Sequence, residues 1–144
     1  MTVEPTDREK SLILSSRVAR MGTVDTSGKP HIVPVCFAYL DGRIYVPVDK
    51  KPKSTAWRGL KRIKNISAHP DVSFLIDNYS EDWSELFYIL IHGRAEIVSG
   101  GEGYAGSLEA LSAKYPQYEK MRLAKAGLPV IRIAPERIIS WGNL

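Results

Sequence analysis

The run Asp41-Gly42-Arg43-Ile44-Tyr45-Val46-Pro47-Val48-Asp49-Lys50-Lys51-Pro52-Lys53-Ser54-Thr55 decides the architecture. Asp-Gly between apolar segments is a tight-hairpin signal. Residues 43–48 then read as a strand, and a helix is expected from Ser54 onward. Lys50, Lys51 and Lys53 therefore meet at a strand-to-helix turn. There the unpaired N–H groups and the positive end of the helix favour an anion. Ser54 or Thr55 can cap the helix or donate to a phosphate oxygen. The turn reads as a phosphate clamp for a nucleotide-like cofactor, against the plainer alternative of a solvated basic loop.

Working upstream, residues 6–16 read as a helix, with Thr6 and Glu9 spaced as a capping box. Residues 17–25 read as a strand, and Gly28 supplies the backbone freedom of the turn that follows. Residues 30–40 read as one continuous second strand, so that three strands form an antiparallel meander. Downstream, residues 54–67 are expected to be helical. Ala56, Leu60 and Ile63 would face the core, with Arg58, Lys61 and Arg62 on another face. Pro70 stops this helix. Strands are expected at 71–79 and at 86–99, the latter bent at Gly93, and at 129–141, where Pro135 implies an edge or a bulge. Helices are expected at 106–115 and 118–126. Helices inserted among the strands, rather than alternating with them, predict a mainly β single domain over residues 1–144. Its expected form is a six-stranded antiparallel barrel with peripheral helices.

Composition narrows the function. The chain has 144 residues and a formal charge of +4, unevenly placed: residues 50–64 hold seven basic side chains and no acidic one. Such a patch suits an anionic partner. It lacks the regularly interleaved aromatics of a nucleic-acid surface, so none is expected. The single cysteine excludes an internal disulfide framework or a cysteine-based zinc site. Cys36, in an apolar run, reads as a buried and inert thiol. His31, His69 and His92 are dispersed, without the pairing of a metal site, although one histidine as a haem ligand is conceivable. Glu81 and Asp82 read as a solvated loop. Trp57 reads as core, while Trp83, Phe87 and Tyr88 could pack a planar ring system. No signal peptide or membrane-length apolar run is recognised, and the cytoplasm is expected. An anion clamp, apolar strands and aromatics without an evident acid, base or nucleophile fit a protein whose bound cofactor does the chemistry.

The segments Arg20-Met21-Gly22-Thr23-Val24-Asp25, Gly28-Lys29-Pro30-His31-Ile32-Val33-Pro34-Val35, Asp41-Gly42-Arg43-Ile44-Tyr45, the 50–54 turn, Glu81-Asp82-Trp83 and Gly93-Arg94-Ala95-Glu96 together resemble the pyridoxamine-phosphate-oxidase-like split-barrel superfamily. The likeness is strongest to its deazaflavin (coenzyme F-420)-dependent oxidoreductase branch. This resemblance implies a split barrel and a homodimer with cofactor at the interface. It also implies a flavin-type cofactor, either F-420 or FMN, in an oxidoreductase that passes hydride to a small electron-poor molecule; the alternative is a carrier or sensor of flavin or haem without turnover. Lys50, Lys51, Lys53 and Ser54 would hold the phosphate. The backbone of Val33, Pro34, Val35, Pro47 and Val48 would run along the rings, and Trp83 would close the pocket from either subunit. Arg58, Lys61 and Arg62 would attract the acidic tail that distinguishes the deazaflavin from FMN. The proton for reduction would come from water or Tyr45. The C-terminal substrate-gripping segment of true pyridoxamine-phosphate oxidases has no equivalent here, nor do the strand-two basic residues of the classical FMN enzymes.

Overall fold

The computed structural model describes residues 3–48, 59–121 and 127–144. Among the described residues are helix α1 (Asp7–Ser15), strands β1 (Ala19–Val24), β2 (Pro30–Val35), β3 (Ala38–Leu40) and β4 (Arg43–Pro47), and helix α2 (Lys61–Ala68). They are followed by strands β5 (Asp71–Asn78) and β6 (Phe87–Val98), helices α3 (Tyr104–Lys114) and α4 (Gln117–Met121), and strand β7 (Val130–Gly142). The strands form one antiparallel sheet in the order β2-β1-β5-β6-β7-β4-β3.

The two edges of this sheet, β2 and β3, are consecutive in the chain and joined only by Cys36 and Phe37. Laid flat at a strand spacing of about 4.8 Å, the edges would stand about 29 Å apart. The Cα path from Val35 to Ala38 reaches at most about 11 Å. The sheet must therefore curl, and the architecture is a mainly β, antiparallel split barrel. Seven strands replace the expected six because the 30–40 run breaks at this bridge. Residues up to Val35 pair with β1, and those from Ala38 pair with β4.

Local sequence signals account for the turns and caps. Thr6 Oγ1 accepts from the Glu9 N–H at 3.1 Å, and the Thr6 N–H donates to Glu9 Oε1 at 2.8 Å, completing the capping box. The β3–β4 turn places Asp41 and Gly42 at φ 51° and 78°, the left-handed pair that a two-residue hairpin requires. In the β1–β2 turn the Asp25 carboxylate accepts from the Lys29 and Ser27 N–H groups, both at 2.9 Å, and from the Ser27 hydroxyl at 2.8 Å. These bonds, that from Lys29 foremost, hold the carboxyl well below the usual range.

Two cores result. Inside the barrel lie Met21, Phe37, Phe74, Ile89, Ile91 and Ile133, with Phe37 edge-on to Phe74 at 5.1 Å. Ile13 of α1 and Ile63 and Ile66 of α2 join this core. Outside, α3 and α4 cover part of the sheet through Tyr45, Leu108, Leu111, Tyr115, Tyr118 and Val130.

The β6–β7 pairing shifts register at Gly93: His92 faces Arg137 and Gly93 faces Pro135, which leaves Glu136 as the extra residue of a bulge. Pro135 lies beyond the last β4 partner, Ile133, and its carbonyl accepts from the Val3 N–H at 3.1 Å. A Cβ at residue 93 would stand 2.6 Å from the Ala134 carbonyl oxygen and 2.9 Å from Ile133 Cγ2. Gly93→Ala is therefore expected to destabilise the fold by about 2–3 kcal/mol, measured by chemical denaturation.

Candidate functional site

At the β2–β3 bridge a cleft of about 220 Å³ opens, lined by Val18, Pro34, Val35, Cys36, Pro47, Arg62 and Tyr118. It lies between the end of β2 and the end of β4, at the margin of the α3–α4 layer. Of the residues expected to line a cofactor, Pro34, Val35 and Pro47 meet here. Val33 and Val48 sit beside them in sequence, but their side chains pack into the barrel core, so they would offer backbone only. Lys50, Lys51, Lys53, Ser54, Trp57 and Arg58 lie outside the described residues. The described chain before that segment ends at Val48, next to the cleft wall Pro47.

The expected basic helix face divides. α2 starts at Lys61, with Leu60 in the cap position. Lys61 turns to Asp25, Nζ to carboxylate 3.4 Å, while Arg62 lines the cleft. Trp83 is not among the residues lining the cleft. It stands 72 % exposed on the short turn Trp83–Glu85, where Asp82 accepts from the Ser84 N–H and hydroxyl. Phe87 packs against the barrel core and Tyr88 faces out, stacked on Trp141 at 6.1 Å. Glu81 and Asp82 form an exposed loop, as expected.

Two expectations change. Cys36 is half-buried and lines the cleft instead of lying inert in the core, because the strand breaks there. Tyr45, considered as a proton donor, is buried beneath α3 in the second core and does not line the cleft.

The cleft has a polar foundation that sequence reasoning missed. Tyr115 Oη accepts from the Phe37 N–H at 3.2 Å and donates to the Arg17 carbonyl at 2.9 Å, with the Phe37 carbonyl 3.2 Å away. One hydroxyl thus satisfies backbone groups that the broken strand leaves without sheet partners. The Arg17 guanidinium lies 4.7 Å from the centre of the Tyr115 ring, and its Nη2 donates to the Lys114 carbonyl at 2.7 Å. Lys114 Nζ sits 3.8 Å from the Phe37 ring centre and finds no hydrogen-bond acceptor among the described residues. Burial, then the nearby Arg17 charge, push its pKa down to about 8. Burial also raises the Tyr115 hydroxyl. The signal for this group was the aromatic pair Tyr115 and Tyr118, whose rings meet edge-to-face at 5.6 Å beside the cleft.

A curled antiparallel sheet with a cleft where its two edges meet defines the split-barrel class. The model of the pyridoxamine 5'-phosphate oxidase family matches residues 5–142, and the chain belongs to that family. Among curated relatives it is similar to the 5a,11a-dehydrotetracycline/5a,11a-dehydrooxytetracycline reductase of Streptomyces rimosus. The two are 23 % identical over 138 residues, which is 95 % of this chain and 82 % of the reductase. Among solved structures it shares its fold with HutZ, a haem storage protein of Vibrio cholerae (TM-score 0.74, 14 % identity, 99 % of this chain and 95 % of that one). It also shares the fold of an FAD-binding protein of Mesorhizobium loti (TM-score 0.69, 19 % identity, 94 % of each chain). Among the described residues there is no group of three or more side chains suited to hold a metal, and no helix long and apolar enough to cross a membrane.

Lys114 yields a signed pH dependence. Below about pH 8 it is charged in both folded and unfolded states, and folding bears the full cost of burying the charge. Between about 8 and its ordinary 10.5 the unfolded chain holds the proton that the native state has lost, so stability rises with pH. Lys114→Met is expected to raise the melting temperature at pH 7, with the gain shrinking by pH 10, in paired thermal unfolding scans.

Proposed function

We propose that this protein is an oxidoreductase of the split-barrel class that binds a deazaflavin of the F-420 type and acts on a small electron-poor organic molecule. The observation that carries this reading is the cleft where Pro34, Val35 and Pro47 converge beside Arg62. The lysine-rich 50–54 segment follows the cleft strand closely in sequence.

The cleft suits such a group in two respects. Its strand residues Pro34, Val35 and Pro47 are apolar and can lie along a ring edge, and Arg62 supplies a cation for a phosphate or an acidic tail. Lys50, Lys51, Lys53 and Ser54 would take the phosphate. When bound, the cofactor supplies hydride; the protein's part is to grip, orient and exclude water. Arg62, which lines the cleft, is the cation of α2 placed to meet the tail. The relative that reduces a dehydrotetracycline supports a reductase acting on a conjugated substrate. The shared fold with an FAD-binding protein keeps FMN in the same cleft as the second reading.

The same reading includes a homodimer. On the outer face of the sheet Leu75 faces Leu90, and Leu90 faces Ile139, in one row across β5, β6 and β7. Next to this row Tyr88 stacks on Trp141, which is 54 % exposed. A second copy would cover this apolar face and bring its exposed Trp83 toward the neighbouring site.

Equilibrium titration of the cofactor-free chain with F-420 and with FMN tests the cofactor. Tighter binding of F-420 is expected, and Lys50→Ala with Lys53→Ala should weaken it at least about tenfold. Preference for FMN moves the assignment to the second reading, and unchanged affinity in the double variant removes the clamp. Sedimentation equilibrium tests the assembly. A dimer is expected that Leu90→Lys converts to monomer; a monomeric wild type would overturn it.

A further inference from the structure

On the outer face of the barrel, away from the cleft, an open hollow of about 450 Å³ lies over β1, β5 and β6 and reaches Pro30 of β2 and Glu136 of β7. Its wall includes Gly22, Val24 and Pro30 on one side, Ser73 and His92 on the other, and Asp71 and Glu136 at the ends. Alternation sets which side chains reach it. Met21 and Thr23 of β1 and Val72 and Phe74 of β5 are buried inward, so Gly22, Val24, Asp71 and Ser73 point outward. Glu136 is the extra residue of the β7 bulge, exposed beside Gly93.

Gly22 explains why the space exists. Its φ is not in the left-handed region, and a Cβ there would meet only Ser73 Cβ at 3.8 Å and two carbonyl oxygens at 3.9 and 4.0 Å. These are ordinary contacts, so neither backbone nor packing demands glycine. What the missing side chain does is leave the floor open between Ile32, its cross-strand neighbour at 65 % exposure, and the Ser73–His92 pair. Ser73 Oγ lies 3.3 Å from His92 Nδ1. That bond orients the imidazole and leaves Nε2 as the remaining polar atom of the ring.

We propose that this hollow is a second binding site, for a small planar organic cation such as an amidine or an aromatic amine. Val24 and Pro30 offer an apolar wall to a flat body, and the oriented His92 offers a hydrogen-bonding edge. Among the described residues that line the hollow two are carboxylates and none is lysine or arginine, which favours positive over negative charge. Asp71 also meets Arg94 at 3.5 Å on the rim, so Glu136 is the principal anionic contact. Arg137, across from His92 on β7, is not among the lining residues. The site is separate from the cofactor cleft and does not rest on the cofactor's identity.

NMR of the full-length chain with histidine ring labels, titrated with benzamidine and with benzoate as the charge-reversed control, tests the site. Benzamidine is expected to shift the His92 resonances saturably and to bind at least about tenfold more tightly than benzoate. Glu136→Gln should raise the benzamidine dissociation constant about threefold, as befits a rim charge. Gly22→Leu, placed on a face with room for it, should abolish the shift with the melting temperature and the cofactor titration unchanged. Absence of a saturable shift, equal binding of benzoate, or unaltered binding in Gly22→Leu would each overturn the proposal. Should Gly22→Leu fail to fold, Glu136→Gln decides: an unchanged dissociation constant there overturns it as well.

Discussion

Everything in this molecule depends on a two-residue bridge. Cys36 and Phe37 tie the two free edges of one sheet to each other, and a sheet whose edges are covalently held a few ångströms apart can only curl. The bridge in turn needs help, because the strand is broken there and its amide and carbonyl lose their ladder partners. Tyr115, 78 residues further along the chain, supplies that help through its hydroxyl. Its ring also carries Arg17 on its face. Closure of the barrel, packing of α3 against the outside of the sheet and the shape of the cleft thus share one contact.

This coupling explains where the cleft lies. A barrel closed by continuous hydrogen bonding would have no gap between neighbouring strands; here β2 and β3 follow each other but each pairs with a different partner. The wall opens at that point, between Val35 and Pro47, and Cys36 shows part of its side chain there. The charged group behind it, Lys114 over Phe37, is held at an energetic cost in a place where a methionine would pack as well. Its position within the ring cluster puts positive potential at the back of the bridge.

What was legible in the sequence was local. The capping box at Thr6 and Glu9, the Asp41–Gly42 hairpin, the turn at Gly28 and the irregularity at Gly93 each depend on residues within a few positions of one another, and each is found where expected. The break after Val35 was not legible. Pro34 does not mark it, because Pro34 still pairs with Arg20 of β1, and the cause of the break is a pairing with distant strands. The same holds for the site. Pro34, Val35 and Pro47 were placed through a resemblance and do meet, but Tyr118 was missed because its neighbour in space is a strand end some seventy residues earlier. Lys61 and Arg62 looked equivalent on one helix face. They part company because consecutive helical residues point about 100° apart, so that Lys61 meets Asp25 of the β1–β2 turn while Arg62 meets the cleft.

The bulge at Glu136 has a meaning beyond its bend. Ahead of it, Ile131 and Ile133 point into the barrel; behind it, Ile138 packs on the same interior and Ser140 donates to Glu9 at 2.6 Å. Odd-numbered residues face inward on one side of the bulge and even-numbered ones on the other. Glu136 therefore acts as a phase shift in a two-letter code of inside and outside. Were Glu136 counted into regular pairing instead of being set aside in the bulge, Arg137, Ile139 and Trp141 would turn into the barrel and Ile138 and Ser140 to the surface. The bulge is thus the place where β7 can lose one residue and keep the same wall inside, whereas a one-residue change within the regular pairing on either side would turn what lies beyond it inside out.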